Sequence, residues 1–235
     1  MQEQVDSIKA FWDDLAITLD ALQHATLEQF AEQGERVLID YRPTLKQIDS
    51  NLTFHFERNQ EEGPVLLVFG CDGYPESIHS VLTLVGAAPK LDGFQVRAFN
   101  ERHDPVPRMV DMGGELCEIN DYWHSLRTLN GKLELAIYME DAPTVLDMDP
   151  RVEGVMFLLD ALIGEYEIMV RIWALDWYEL PACPRDFGLS PLSQLRSEFD
   201  QMKSEIKPIS LHLLEIGFAK FIEQFSQLVT HISAD

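Results

Sequence analysis

The stretch FLLDALIGEYEIMVRI, Phe157 to Ile172, decides how this chain is read. It opens as an apolar run, meets Gly164, and passes through Glu165 and Glu167 into a second apolar run. Val152, Val155, Met156, Leu159, Leu162 and Ile163 recur at three- and four-residue steps. That spacing predicts a helix from about Val152 to Ile163 with its stripe turned to a sheet. Gly164 falls where a left-handed closing residue suits a helix end. A strand is expected to follow from about Tyr166 to Leu175, which makes Glu165 the start of a reversal. Loop backbone is commonly solvated, so Glu165 reads as an exposed connector carboxylate, the alternative being a carboxylate that faces a cleft. Phe157 and Leu158 lie off the stripe, so the outer side of the helix is expected to be covered too.

Working outward, the same succession of periods recurs. Upstream of the helix, KLELAIYME, Lys132 to Glu140, is a strand behind the turn Asn130-Gly131, and Glu115 to Asn120 is a further strand. Earlier still, Leu52, Phe54 and Phe56 alternate with polar residues, PVLLVFG is a buried strand, Ile78, Val81, Leu82 and Val85 mark a helix, and FQVRAF closes the set. Both segments read strand, strand, helix, strand, compatible with a duplication of residues 51–100 as 115–178. The expected fold is α+β: a mainly antiparallel sheet in a core of residues 51–180, helices on one face, terminal helices at its side. Residues 1–50 form a helical pair, with stripes Ile8, Phe11, Trp12, Leu15, Leu19, Leu22 and then Phe30, Val37, Tyr41, Leu45, Ile48; Pro43 should kink or end the second helix. Residues 181–235 supply a linker and closing helices. There the seam Leu211, Leu214, Phe218, Phe221, Phe225, Leu228 and Ile232 is expected to dock within a monomer, with a homodimer through Leu211 to Ile232 as the alternative.

Composition bounds the partners. The 235 residues carry 40 Asp plus Glu against 18 Lys plus Arg, a formal net charge of -22. Such a molecule repels phosphate backbones and anionic lipid, which argues against nucleic acid and membrane as partners. The opening MQEQVDSIKAFWDD has no secretory character, and three widely spaced cysteines suggest no disulfide framework, so a cytoplasmic setting is expected.

Phosphate-binding glycine loops, dinucleotide fingerprints, nucleophile elbows and zinc motifs are absent from the sequence. Weaker constellations remain. Cys71-Asp72-Gly73 ends a buried strand ahead of a helix carrying His79, the place where strand-loop-helix sites form; a buried cysteine followed by a turn explains it as well. Glu140-Asp141 holds the analogous strand end in the second segment. With Glu165, these residues form the weak catalytic set. Asp147, Asp149 and Glu153 offer oxygen ligands, but capping and the helix dipole account for acids at a helix start, so neither metal nor cofactor is expected. His103-Asp104 reads as surface, and Trp173, Trp177 and Tyr178 as core or sheet edge. Trp123, beside Tyr122 and His124, is the better candidate for an exposed recognition residue.

AAPKLDGFQVRAF, Ala87 to Phe99, and LLDALIGEYE, Leu158 to Glu167, stand in an order that resembles a group of uncharacterised bacterial cytosolic proteins, loosely over residues 10 to 195. The chain is also similar to a bacterial domain of unknown function that accompanies a ribonuclease-inhibitor-like regulatory domain. The resemblance implies a bacterial cytosolic setting and transfers no catalytic residue. The function expected is that of a non-enzymatic acidic interaction protein, an inhibitor, immunity factor or regulator, engaging a basic protein partner through Asp147, Asp149, Glu153 and Trp123. The alternative is a small-molecule or metal-dependent enzyme with carboxylates at the strand ends.

Overall fold

The computed structural model describes residues 2–22, 25–57, 63–146 and 149–208. They divide into two compact units with the boundary between Phe99 and Asn100. Helices and largely antiparallel sheets make the α+β class expected from the change of period along the chain. The strands form two separate sheets and a ribbon rather than one continuous sheet.

In the first unit, α1 (Gln2–Leu22) and α2 (Leu27–Ile48) precede β1 (Thr53–Glu57), β2 (Val65–Gly70), α3 (Ile78–Gly86) and β3 (Phe94–Ala98). A reciprocal cap starts α2: Thr26 Oγ1 accepts the Gln29 amide and Gln29 Oε1 accepts the Thr26 amide. The helix does not end at Pro43 but runs through it to Ile48. A proline inside a helix costs about 3 kcal/mol, and burial of Tyr41 and Leu45 on either side offsets it. The striped faces meet in an aromatic core. Phe11 lies edge-to-face with Trp12, Tyr41, Phe54 and Phe69 at 5.4–6.5 Å between centroids. Trp12 Nε1 donates to the Leu84 carbonyl at 2.9 Å, fixing α1 to the end of α3.

The second unit begins with an antiparallel ribbon, β4 (Met109–Met112) and β5 (Glu115–Glu118), turned at Gly113-Gly114 where both φ angles are positive. Then come β6 (Trp123–Leu129), β7 (Lys132–Met139), α4 (Pro150–Ile163), α5 (Glu165–Arg171), β8 (Ile172–Glu179), β9 (Ser190–Pro191) and α6 (Leu195–Met202). The sheet order is β8-β7-β6-β9. Alternate residues of β7, namely Leu133, Leu135, Ile137 and Met139, are buried and share one core with Leu158, Leu159 and Leu162 of α4 and Phe199 of α6.

One expectation after Gly164 needs correction. The strand expected from Tyr166 begins only at Ile172, because Glu165 to Arg171 form a second helix. Short apolar runs suit either state, and here acids in the first turn and Arg171 in the last, paired with Glu167 one turn back, favour the helix. The buried arc of α4 is also wider than the stripe. Leu158 is buried and Phe157 is half-exposed, because the β4–β5 ribbon packs on the helix beside the sheet.

The two units share an order of elements, in a register other than the expected one. In both units two antiparallel strands are followed by a helical crossover to a strand parallel to the second: β1, β2, α3, β3 and β6, β7, α4–α5, β8. The partner of β1 in this comparison is β6, whereas the strand expected at Glu115 to Asn120 belongs to the ribbon. Asp72 and Asp141 each stand two residues after the middle strand with φ near +49°. Asp tolerates that left-handed turn better than most residues.

Candidate functional site

The fold assigns most of the suspected chemistry to architecture. Cys71 is buried and its thiol donates to the Tyr74 carbonyl at 3.2 Å, while His79 lies on the exposed side of α3. Asp72 is an exposed turn residue of the first unit; Glu140 and Asp141 are exposed at the strand end of the second. Among the described residues no group of three His, Cys, Asp or Glu side chains is placed to hold a metal ion.

Glu165 is not an exposed connector. It is 6% exposed, and its Oε2 accepts the Asn100 amide at 3.0 Å while its own amide donates to the Asn100 carbonyl at 3.0 Å. Asn100 Nδ2 also donates to Asp160. The last carbonyls of α4 are then covered by arginines from elsewhere. Arg102 Nε donates to Ile163 O at 2.7 Å, and Arg196 donates to Leu162 O and Ala161 O. Guanidinium groups at a helix C-terminus satisfy orphan carbonyls and the helix dipole together. The clasp joins Asn100 and Arg102, just beyond FQVRAF, to LLDALIGEYE, the second of the quoted stretches. The side chains of His103 and Asp104 remain exposed beside it.

Asp149 is likewise occupied. It caps α4 through the Arg151 amide at 2.9 Å and pairs with the Arg151 guanidinium at 2.7 Å. Arg151 reaches on to the carbonyls of Glu140 and Asp141. Hydrogen bonds from that guanidinium hold the Asp149 carboxyl below its usual range, against the opposing effect of burial. Of the expected partner-binding acids, Glu153 is exposed, Asp149 is structural, and Asp147 lies outside the described residues, as do Leu211 to Ile232.

Two further polar centres carry no local sequence signal. Asp49 accepts hydroxyls of Ser77 at 2.9 Å and Ser80 at 2.7 Å and the Asn51 amide at 3.0 Å, tying the end of α2 to the start of α3. Burial pushes its carboxyl up, and these bonds outweigh that and hold it low. His124 on β6 is fully buried, with Nε2 3.1 Å from Glu198 Oε2 on α6. Burial drives the imidazole below its ordinary value, against the opposing effects of Glu198 and of the Ser190 and Pro191 backbone. Its Nδ1 has no partner among the described residues. Seventy-four positions separate His124 from Glu198, and no local motif marks such a pair.

The surface that remains is the face of the second sheet opposite its core. Trp123 stands opposite Tyr138, Tyr138 opposite Tyr178, and Pro191 opposite Trp123, a ring row across four strands. Tyr138 and Tyr178 stack at 5.3 Å. The next row is low: Ser125, Ala136 and Asp176. Then come Arg127, bonded to Glu134 at 3.1 Å, and Lys132, whose ammonium sits 2.9 Å from the Trp173 ring centre. A bulge between Leu133 and Glu134 in the β7–β8 pairing places Trp173 here, 51% exposed, at the other end of the strand from Tyr178 at 47%. Trp123, half-buried, therefore lies on a presented face, with sheet-edge aromatics around it. Rings arranged in this way are suited to stacking and cation–π contact.

Comparison with protein-family models, with curated proteins and with solved structures finds no match.

Proposed function

We propose that this is a non-enzymatic cytoplasmic interaction protein, of the inhibitor, immunity or regulatory kind, that engages a basic protein partner. The observation that carries this reading is the presented aromatic face on a chain of formal net charge -22. Exposed rings of this kind are the anchors that binding surfaces use, and a strongly negative field selects and accelerates a cationic partner. Two of the candidate residues for chemistry support it from the other side. Cys71 and Glu165 are engaged in bonds that hold a turn and a helix end. Among the described residues no helix is long and apolar enough to cross a membrane.

The test is affinity capture with the full chain as bait at moderate salt, followed by association kinetics of the captured protein. The association rate is expected to fall steeply as salt rises from about 0.05 to 0.5 M, where screening lengths shrink through about 10 Å. A rate indifferent to salt would remove the acidic surface as the mechanism.

A further inference from the structure

The open face ends at an unpaired edge. β8 is the last strand in the order β8-β7-β6-β9, and among the described residues no strand pairs with its outer side. Eight residues long, it is the kind of edge that proteins normally blunt or cover. Along it Trp173, Asp176 and Tyr178 stand on the open face. Asp176 lies two residues from Tyr178, about 7 Å along the strand, over the low floor of Ser125 and Ala136. Glu134 is held by Arg127, whereas Asp176 has no basic partner among the described residues. An exposed carboxylate flanked by a tryptophan and a tyrosine suits a guanidinium or ammonium group. The molecule already shows the contact once, in Lys132 over Trp173.

We infer that the partner presents an extended segment rich in Arg or Lys, which adds to the outer edge of β8 as a further strand and lays alternate cationic side chains between Trp173 and Tyr178 over Asp176. Main-chain pairing supplies affinity in this mode and alternate side chains supply selectivity. Three features select this occupant: the charge of -22, and, among the described residues, an acid between rings without a basic partner and a strand edge without a neighbour. The inference rests on the proposed acidic interaction function and narrows it to one class of ligand.

The probe is a synthetic peptide of about nine alternating Arg and Thr residues, matched to the length of one strand, titrated into the full chain beside polylysine and beside the same peptide N-methylated at alternate amides. The peptide is expected to bind at low salt and to shift backbone amide signals of β8. Trp173→Ala and Asp176→Lys, both at exposed positions, should each weaken it at least about tenfold with the thermal midpoint unchanged, and N-methylation should weaken it equally. Equal binding by wild type and both variants, or by the methylated peptide, overturns strand addition at β8. Polylysine binding without peptide binding does the same and leaves the charge-based reading standing. Binding of neither overturns both.

Discussion

Asn100 and Glu165 hold each other twice, once through the Asn100 amide and the Glu165 carboxylate and once through the Glu165 amide and the Asn100 carbonyl, each at 3.0 Å. The pair fixes the first residue of the second unit against the junction of α4 and α5. Glu165→Ala leaves the Asn100 amide without its acceptor and is expected to destabilise the protein by about 1–3 kcal/mol. Glu165→Gln retains an acceptor oxygen and should lose less. Urea unfolding of the three proteins measures this, and a loss under about 0.5 kcal/mol for the alanine variant would remove the clasp from the stabilising contacts.

Gly154 lets the ribbon approach α4. A Cβ built there would stand 2.4 Å from Cys117 Sγ and 2.9 Å from Cys117 Cβ, inside any tolerable contact. Gly154→Ala, favourable for an isolated helix, should therefore destabilise by about 1–3 kcal/mol through overpacking. Adding Cys117→Ala removes the sulfur and should recover part of the loss. Additive losses in the double variant would place the clash elsewhere.

The parts of this architecture that the sequence discloses are those written in local periods. The α1 stripe, the β1 alternation and the KLELAIYME strand need only neighbours to be read, and Thr26 with Gln29 spells a helix start in the same local way. Residues 165–171 are ambiguous in sequence, because the short apolar run Ile168 to Val170 continues into Ile172 and fits the end of a helix or the start of a strand equally well. The role of Glu165 was not legible at all. It depends on Asn100, 65 positions away, just as His124 depends on Glu198 and Leu162 on Arg196. The open face was half legible: Trp123 drew notice for its neighbours, but only the strand register aligns it with Tyr138 and Tyr178.

Asp149 and Glu153 separate structural from available acid at the start of α4. Asp149→Ala removes a helix cap and the partner of Arg151, and is expected to cost about 0.5–2 kcal/mol. Glu153→Ala, at an exposed position, should stay within about 0.5 kcal/mol. Because the Asp149 carboxyl is held low in the folded protein, its contribution is present above the ordinary Asp value near 3.9 and is lost as pH falls below it. Denaturant midpoints at neutral pH and near pH 3 check both statements. Equal sensitivity of the two variants would contradict the assignment of Asp149 to the cap.

The buried imidazole of His124 sets a second pH dependence, of opposite charge type. Its folded value lies below the ordinary histidine value because burial penalises the cation more than Glu198 rewards it. The unfolded chain therefore binds a proton near pH 6.5 that the folded chain refuses, and stability present above that pH falls as the solution is acidified toward the depressed folded value. One such site changes stability by at most about 1.4 kcal/mol per pH unit. His124→Gln keeps a donor for Glu198 and cannot titrate, so its stability should decline less between about pH 7 and 5.5 than that of the wild type. Urea midpoints for both proteins across that range measure the difference. Parallel declines would mean that the folded ring accepts its second proton as readily as the unfolded one, in conflict with the full burial of the ring.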